Sequence, residues 1–322
     1  MTEDKPNQFQ EDSGEAFPAV SVIIPSYRRH TEVLRAAQSA LGQTLAPVEV
    51  IVVNDGPDPK KRRLLRDIND ERLRYLEAQW HGSAGATRNF GIAHAKGTWV
   101  ALLDDDDWWL EEKLERQFRA LRGSGCTQLV LAGVERTCLW DGSSRLRPRT
   151  QTAEVASVSR AILSGRGDVS TSTLLVPAQV CKEVRFNETE NLLEDTEWLL
   201  NIGRSLQMLV VPAVIVERGY SEGARLSRSG DYEAAWRWYV RNKCLIEPEA
   251  RVTALLQIVA RRAAVDRCLK GIVRIFRELV RERRLTWQNV YALVRVFLLP
   301  PDVKNKLRDM LCGRRSKTRN GG

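Results

Sequence analysis

The chain has 322 residues, room for one large domain or two smaller ones, and an apolar fraction of 43% that suits a globular protein. Its net charge of +9 is unevenly placed: residues 251–322 hold 18 Lys/Arg against 5 Asp/Glu, so the first 250 residues are slightly acidic. That distribution argues against a nucleic-acid-binding body, and six scattered cysteines without metal-ligand spacing read as free thiols of a reducing cytosol rather than as a disulfide or zinc framework. Residues 1–18 are polar and acidic, lack the charged start and apolar core of a signal peptide, and read as disordered. No run approaches the ~18 consecutive apolar residues of a membrane-spanning helix.

From residue 20 the apolar pattern alternates between short runs and helical spacing. The run VSVIIP predicts a buried strand over 20–25, followed by the loop Ser26-Tyr27-Arg28-Arg29. Val33, Leu34, Ala37 and Leu41 predict a helix over 31–43. VEVIVV predicts a strand over 48–53, turning away at Asn54-Asp55-Gly56-Pro57. A basic helix over 60–68, a short strand over 73–76 and a helix over 85–95, with Gly97 as its C-terminal cap, come next. A strand over 98–103 and a helix from 110 to about 122 complete the series. Strands alternating with helices imply a parallel α/β sheet, whose ligands bind at the carboxyl ends of the strands. The loops at 26–29, 54–57 and 104–107 all fall at that edge.

The last of these loops, Asp104-Asp105-Asp106-Asp107, is the centre of the chain. Four adjacent carboxylates repel one another, and burying them unpaired is very costly. Something cationic therefore belongs there. A hard divalent ion with oxygen ligands, Mg²⁺ or Mn²⁺, also bridges to phosphate. The plain alternative is an acidic turn at the start of the helix near Leu110.

Together these segments resemble a family 2 glycosyltransferase with a GT-A fold. VSVIIPSYRR resembles that family's first strand and donor loop, VEVIVVNDGP its second strand and turn, and GSAGATRNFGIAHAKGTWVALLDDDDWW its helix–strand–acidic run. The resemblance covers 20–115 almost continuously and weakens over 116–225. It implies a mostly parallel central sheet flanked by helices and a Mn²⁺ or Mg²⁺ ion held by Asp106 and Asp104. Asp55, in a turn where Asn54 replaces a more usual Asp, would read the nucleobase. Pro25, Ser26, Arg28, Arg88, Asp104 and Asp105 would bind the rest of a nucleotide-sugar donor. Arg225, in a loop with Gly219-Tyr220, would reach the diphosphate. In NLLEDTEWLL, Glu194-Asp195 resembles the family's acidic pair beneath the acceptor. Inverting transfer needs a base for the acceptor hydroxyl. Asp195 is the candidate base and Glu194 the candidate acceptor-positioning residue, the alternative being an ordinary acidic first turn of a helix. The segment 170–176 resembles the strand lining the acceptor side. Trp236, Trp238 and Tyr239 are either core packing or a sugar platform. Ala234 stands where processive synthases carry the Gln of Gln-x-x-Arg-Trp, which argues against processivity.

The resulting division is a disordered 1–18, a GT-A domain over 19–230 (nucleotide-sugar half 19–125, acceptor half 126–230), a basic helical extension over 231–312 and a disordered basic tail over 313–322. In the extension, apolar residues at helical spacing alternate with arginines. Their apolar faces pack on the catalytic domain, join a homodimer, or touch an anionic membrane at the inner face of the cytoplasmic membrane. The expected activity moves one sugar from a nucleoside diphosphate sugar, UDP by family frequency, to a saccharide or lipid-linked acceptor. A sugar nucleotidyltransferase is the first rival, and the glycine-free Pro25-Ser26-Tyr27-Arg28 loop speaks against it. The second is a non-enzymatic adaptor binding through the basic helices. No nucleic-acid partner is expected.

Overall fold

A computed structural model describes residues 17–79, 82–138, 143–163, 169–190, 192–218 and 231–298. The nucleotide half runs β1 (Val20–Ser26), α1 (Thr31–Leu41), β2 (Glu49–Asp55), α2 (Pro59–Arg66), β3 (Leu73–Ala78), α3 (Ala84–Ala93), β4 (Trp99–Leu102), β5 (Asp107–Trp109) and α4 (Lys113–Gly123). It is followed by β6 (Val130–Cys138), β7 (Ser144–Arg147), β8 (Glu154–Ser157), α5 (Val158–Ile162), β9 (Leu175–Pro177), α6 (Ala178–Glu183), α7 (Glu194–Ile202) and β10 (Gln207–Arg218). The C-terminal helices are α8 (Tyr232–Asn242), α9 (Pro248–Ala254), α10 (Ala260–Val265), α11 (Leu269–Arg281) and α12 (Trp287–Leu298). A π-helical turn, Leu255–Val259, joins α9 to α10.

One sheet runs through the molecule in the order β3-β2-β1-β4-β9-β6-β10-β5, with β7 beside β6 and β8 beside β10. The first four strands are parallel, as the alternating pattern predicts. Beyond β4 the sheet becomes mixed: β9 is antiparallel to both β4 and β6, and β10 is parallel to β6. Along β1 the side chains alternate between two cores. Val22 and Ile24 pack on the α1/α4 side, while Ile23 packs on the α3 side. The α3-side core continues through Trp198 into Trp238, Tyr239, Val259, Ile275 and Leu293. The C-terminal helices are therefore built onto the same core as the sheet. Trp238 and Tyr239 lie inside it, which assigns them to packing rather than to a sugar platform.

Two expectations are corrected. Gly97 does not cap α3, whose C-terminal cap is His94. Gly97 instead lies against β1, where an added Cβ would sit 2.6 Å from the Ser21 backbone N, and its N–H donates to Ser21 Oγ. The helix expected from 110 begins at Lys113, because Asp107–Trp109 is a strand paired antiparallel with Val216–Arg218. Phe17, counted with the N-terminal segment, packs on Phe118. The five described cysteines form no disulfide, and no described helix is long and apolar enough to cross a membrane.

Candidate active site

The carboxyl ends of β1 and β2 open into a cleft of about 200 Å³ lined by Tyr27, Arg28, Asn54, Asp55, Gly56, Pro57 and Asp58. The turn at its floor requires glycine, since Gly56 has φ 89°. Asp55 is buried and its Oδ2 accepts from Gly82 N at 2.9 Å. Asn54 uses both ends of its amide: Oδ1 accepts from Lys61 Nζ at 2.5 Å, and Nδ2 donates to Gly56 O at 2.7 Å. Lys61 is fully buried and also donates to Ser26 Oγ at 2.7 Å. Burial holds its ammonium below the usual lysine range, against the pull of Asp105 and Asp58. Pro25 and Ser26 are buried at the end of β1, whereas Arg28 is exposed with φ 59°.

The acidic run does not present its carboxylates alike. Asp105 turns toward β1, accepting from Ser26 Oγ at 2.8 Å and from Arg29 Nη1 at 2.5 Å. Burial raises its carboxyl, against Arg29. Asp104, Asp106 and Asp107 converge, with one oxygen from each inside 4.8 Å of the others. Three arginines surround them. Arg29 reaches Asp106 at 3.3 Å. Arg88, almost wholly buried, donates to Asp104 at 2.8 Å. Arg218 donates from Nε to Asp107 at 2.8 Å and lies 3.5 Å from Glu135 and 3.9 Å from Asp104. Burial works against the Asp104 carboxylate, but Arg88 and Arg218 outweigh it and hold Asp104 below the usual carboxylate range. Asp107 is pushed up to about 7 by burial, with Asp104 and Glu135 adding to the effect against Arg218. Ser172 fastens the turn by donating to Asp107 Oδ2 at 2.6 Å and accepting from Asp104 N at 3.1 Å. An all-oxygen, anionic, converging donor set fits a hard divalent cation.

Glu194 and Asp195 open α7, behind a left-handed Leu193 with φ 59°. A non-glycine residue in that region is uncommon, and such strain gathers at functional loops. Arg88 Nη1 lies 3.5 Å from Glu194, so one guanidinium spans Asp104 and Glu194. Glu194 is pushed up to about 7 by burial, then by Asp195, against Arg88. Asp195 Oδ2 accepts from Thr171 Oγ1 at 3.3 Å, and Oδ1 accepts from Thr196 N at 2.6 Å.

The structure thus brings Pro25, Ser26, Asp55, Arg88, Asp104, Asp105, Asp106, Glu194 and Asp195 to one edge of the sheet. Arg225 and the Gly219-Tyr220 loop lie outside the described residues. Arg218 went unread, Lys61 was read only within the basic helix and Asp107 only within the acidic run, and Ser172, expected in a strand over 170–176, lies in a 3₁₀ turn over Thr171–Thr173 because the strand begins at Leu175.

Residues 21–154 match the family model for glycosyl transferase family 2. Over this stretch, about two fifths of the chain, it is similar to that family. Among curated relatives, an uncharacterized glycosyltransferase of Rickettsia bellii is 29% identical over 212 residues, 64% of this chain and 30% of its own length. The succinoglycan biosynthesis protein ExoO of Rhizobium meliloti is 29% identical over 142 residues, covering 44% of this chain and 40% of that one. The Escherichia coli UDP-Glc:alpha-D-GlcNAc-diphosphoundecaprenol beta-1,3-glucosyltransferase WfgD is 34% identical over 98 residues, 30% of this chain and 39% of that one. The matched regions thus span about a third of those relatives' lengths. Among solved structures, S. aureus TarS 1-349 in complex with UDP-GlcNAc superposes with a TM-score of 0.62 at 18% identity, over 93% of this chain and 88% of that one. That likeness is one of fold, and it supports a GT-A arrangement with the C-terminal helices attached.

Proposed function

We propose that this chain is a family 2 member that transfers a sugar, with inversion, from a nucleoside diphosphate sugar to a saccharide or lipid-linked acceptor in polysaccharide synthesis. The observation that carries the reading is the convergence of Asp104, Asp106 and Asp107 beside the β1/β2 cleft, joined through Arg88 to Glu194 on α7. In this reading the Asp55 carboxylate accepts a base N–H inside the cleft, and Ser26 and Arg28 border the nucleotide. Asp106, with Asp104 and Asp107, holds Mn²⁺ or Mg²⁺. When bound, such an ion neutralises charge on the departing diphosphate. Asp195 takes the proton of the attacking acceptor hydroxyl, and Glu194 orients the acceptor. Arg88 holds Asp104 and Glu194 at a fixed separation. UDP as the nucleotide is supported by the UDP-GlcNAc bound in a TarS structure of the same fold, and a lipid-linked acceptor by the diphosphoundecaprenol substrate in the printed name of the E. coli relative.

The test is calorimetry with UDP and Mn²⁺, followed by donor hydrolysis across a panel of nucleotide sugars. Binding that needs the metal and hydrolysis of one or a few donors are expected. A protein that binds no nucleotide with Mn²⁺ and hydrolyses no donor is not this enzyme.

A further inference from the structure

Helices α11 and α12 carry the same unusual arrangement. In α11 one face is buried through Gly271, Ile275 and Leu279. A second face presents Leu269, Val273, Phe276 and Val280, exposed at 74, 50, 42 and 49%. In α12 Leu293 is buried, while Trp287, Tyr291, Val294 and Leu298 are exposed at 84, 62, 47 and 73%. In both helices these four positions follow the spacing i, i+4, i+7, i+11, which keeps them within about 60° of one another around the axis. Each helix therefore has an apolar stripe beside, and separate from, the face that joins the core. Scattered exposed apolar residues are ordinary, but two continuous stripes on consecutive helices mark an interaction surface.

Charge identifies the partner. Lys270, Arg274, Arg277 and Arg281 form a row along one flank of the α11 stripe, by the same helical spacing, in which Arg274 also pairs with Glu233 and Arg281 with Glu278. Residues 260–298 hold ten Lys/Arg and three acids. All three acids are engaged. Glu278 is buried with Lys243, Glu282 pairs with Arg251, and Asp266 accepts from the backbone N–H groups of Asp231 and Tyr232. Residues 299–322 add seven Lys/Arg and two Asp. A second copy seated on the α11 stripe through a two-fold axis would place a basic row against its like, with no spare carboxylates among residues 260–298 to pair it. An anionic bilayer meets both demands, since acyl chains receive the stripes and headgroups receive the cations. Trp287 and Tyr291, an indole and a phenol one turn apart, have the chemistry favoured at the headgroup level.

We propose that the exposed stripes of α11 and α12 dock this protein on the surface of an anionic lipid bilayer. The surface uses none of the residues assigned to sugar transfer, so its test is separate from that of the activity. The full chain is sedimented at low salt with vesicles of equal parts phosphatidylglycerol and phosphatidylcholine, and with vesicles of phosphatidylcholine alone. Binding to the anionic vesicles, weakened by salt, is expected. Val273→Ser with Phe276→Ser, and Trp287→Ser with Tyr291→Ser, should each weaken binding about tenfold or more. Lys270→Glu with Arg277→Glu should weaken it and reduce its salt dependence. Every variant should keep the circular dichroism spectrum and melting temperature of the unmodified chain, which shows that it is folded. An unmodified chain that ignores anionic vesicles, or stripe variants that bind them undiminished, would overturn the proposal. Sedimentation equilibrium showing a dimer that the same variants dissociate, with no vesicle binding, would assign the stripes to a second copy instead.

Discussion

At the carboxyl end of β4 four consecutive aspartates meet three arginines drawn from three distant parts of the chain, whereas at the start of α7 two acids share the edge of one. The consequences differ. Asp104 is held below the usual carboxylate range by Arg88 and Arg218, which favours its ionised form. Glu194, less compensated, is pushed up to about 7 by burial and by Asp195, against Arg88. The same carboxyl chemistry is thus shifted in opposite directions, and the number and aim of the nearby guanidiniums separate the two. Asp107 is the exception within the first group. It is the most deeply buried of the three converging carboxylates and is also pushed up to about 7, even with Arg218 in contact.

The largest effect is expected on removing a charge from the compensated group. Asp106→Asn should lower sugar transfer by about 10⁴-fold, the scale of a lost metal ligand, and abolish the Mn²⁺ dependence of nucleotide binding while the circular dichroism spectrum stays unchanged. Full turnover in that variant, or in excess chelator, would remove the metal from the scheme. On the other side, Asp195→Asn should lower transfer by about 10²–10⁴-fold and leave nucleotide and Mn²⁺ affinity near normal in calorimetry. If transfer continues at the original rate, the base is not Asp195 and Glu194 is the next residue to replace.

Arg218→Met tests compensation itself. It would leave Asp107 and Glu135 buried without their cation, at a cost of about 3 kcal/mol, read as a drop in Tm and in the denaturation midpoint. An unchanged melt would show that Arg218 is not what stabilises the buried pair. The smallest effect belongs to Glu194→Gln. The raised carboxyl of Glu194 adds stability below about pH 4.5, and this is lost as pH rises through about 7. The variant should melt with the parent at pH 4 and about 2–4 °C above it at pH 8. Parallel melting curves across that range would show that Glu194 ionises freely.

The parallel half was legible because its information is local. Apolar runs, turn residues and the acidic loop at one sheet edge place strands β1 to β4 within two residues of their observed bounds. The Glu-Asp start of α7 was legible through the family resemblance. What escaped depends on long-range pairing. The strand Asp107–Trp109 exists only because Val216–Arg218 lies beside it, and three residues leave no periodicity to read. Arg218 meets Asp107 across 111 positions and Ser172 meets it across 65. A signal for Arg218 was present all the same, in a charged Glu-Arg pair ending an apolar strand run. Lys61 was read only as part of a basic helix, since nothing in Pro59-Lys60-Lys61-Arg62 says which lysine turns inward. Gly97 misled because a glycine required by close backbone contact resembles one that ends a helix.

Arg88 serves two acids at once. A single guanidinium stands between Asp104 and Glu194, with one unit of charge to divide between them. A ligand that supplies another cation to Asp104 frees part of that field for Glu194, and one that engages Glu194 returns it to Asp104. Two ligands on opposite sides of Arg88 are then linked partners. Whatever factor the first imposes on the affinity of the second, the second must impose on the first, so the order in which they arrive can shape the kinetics but not the free energy of the filled site.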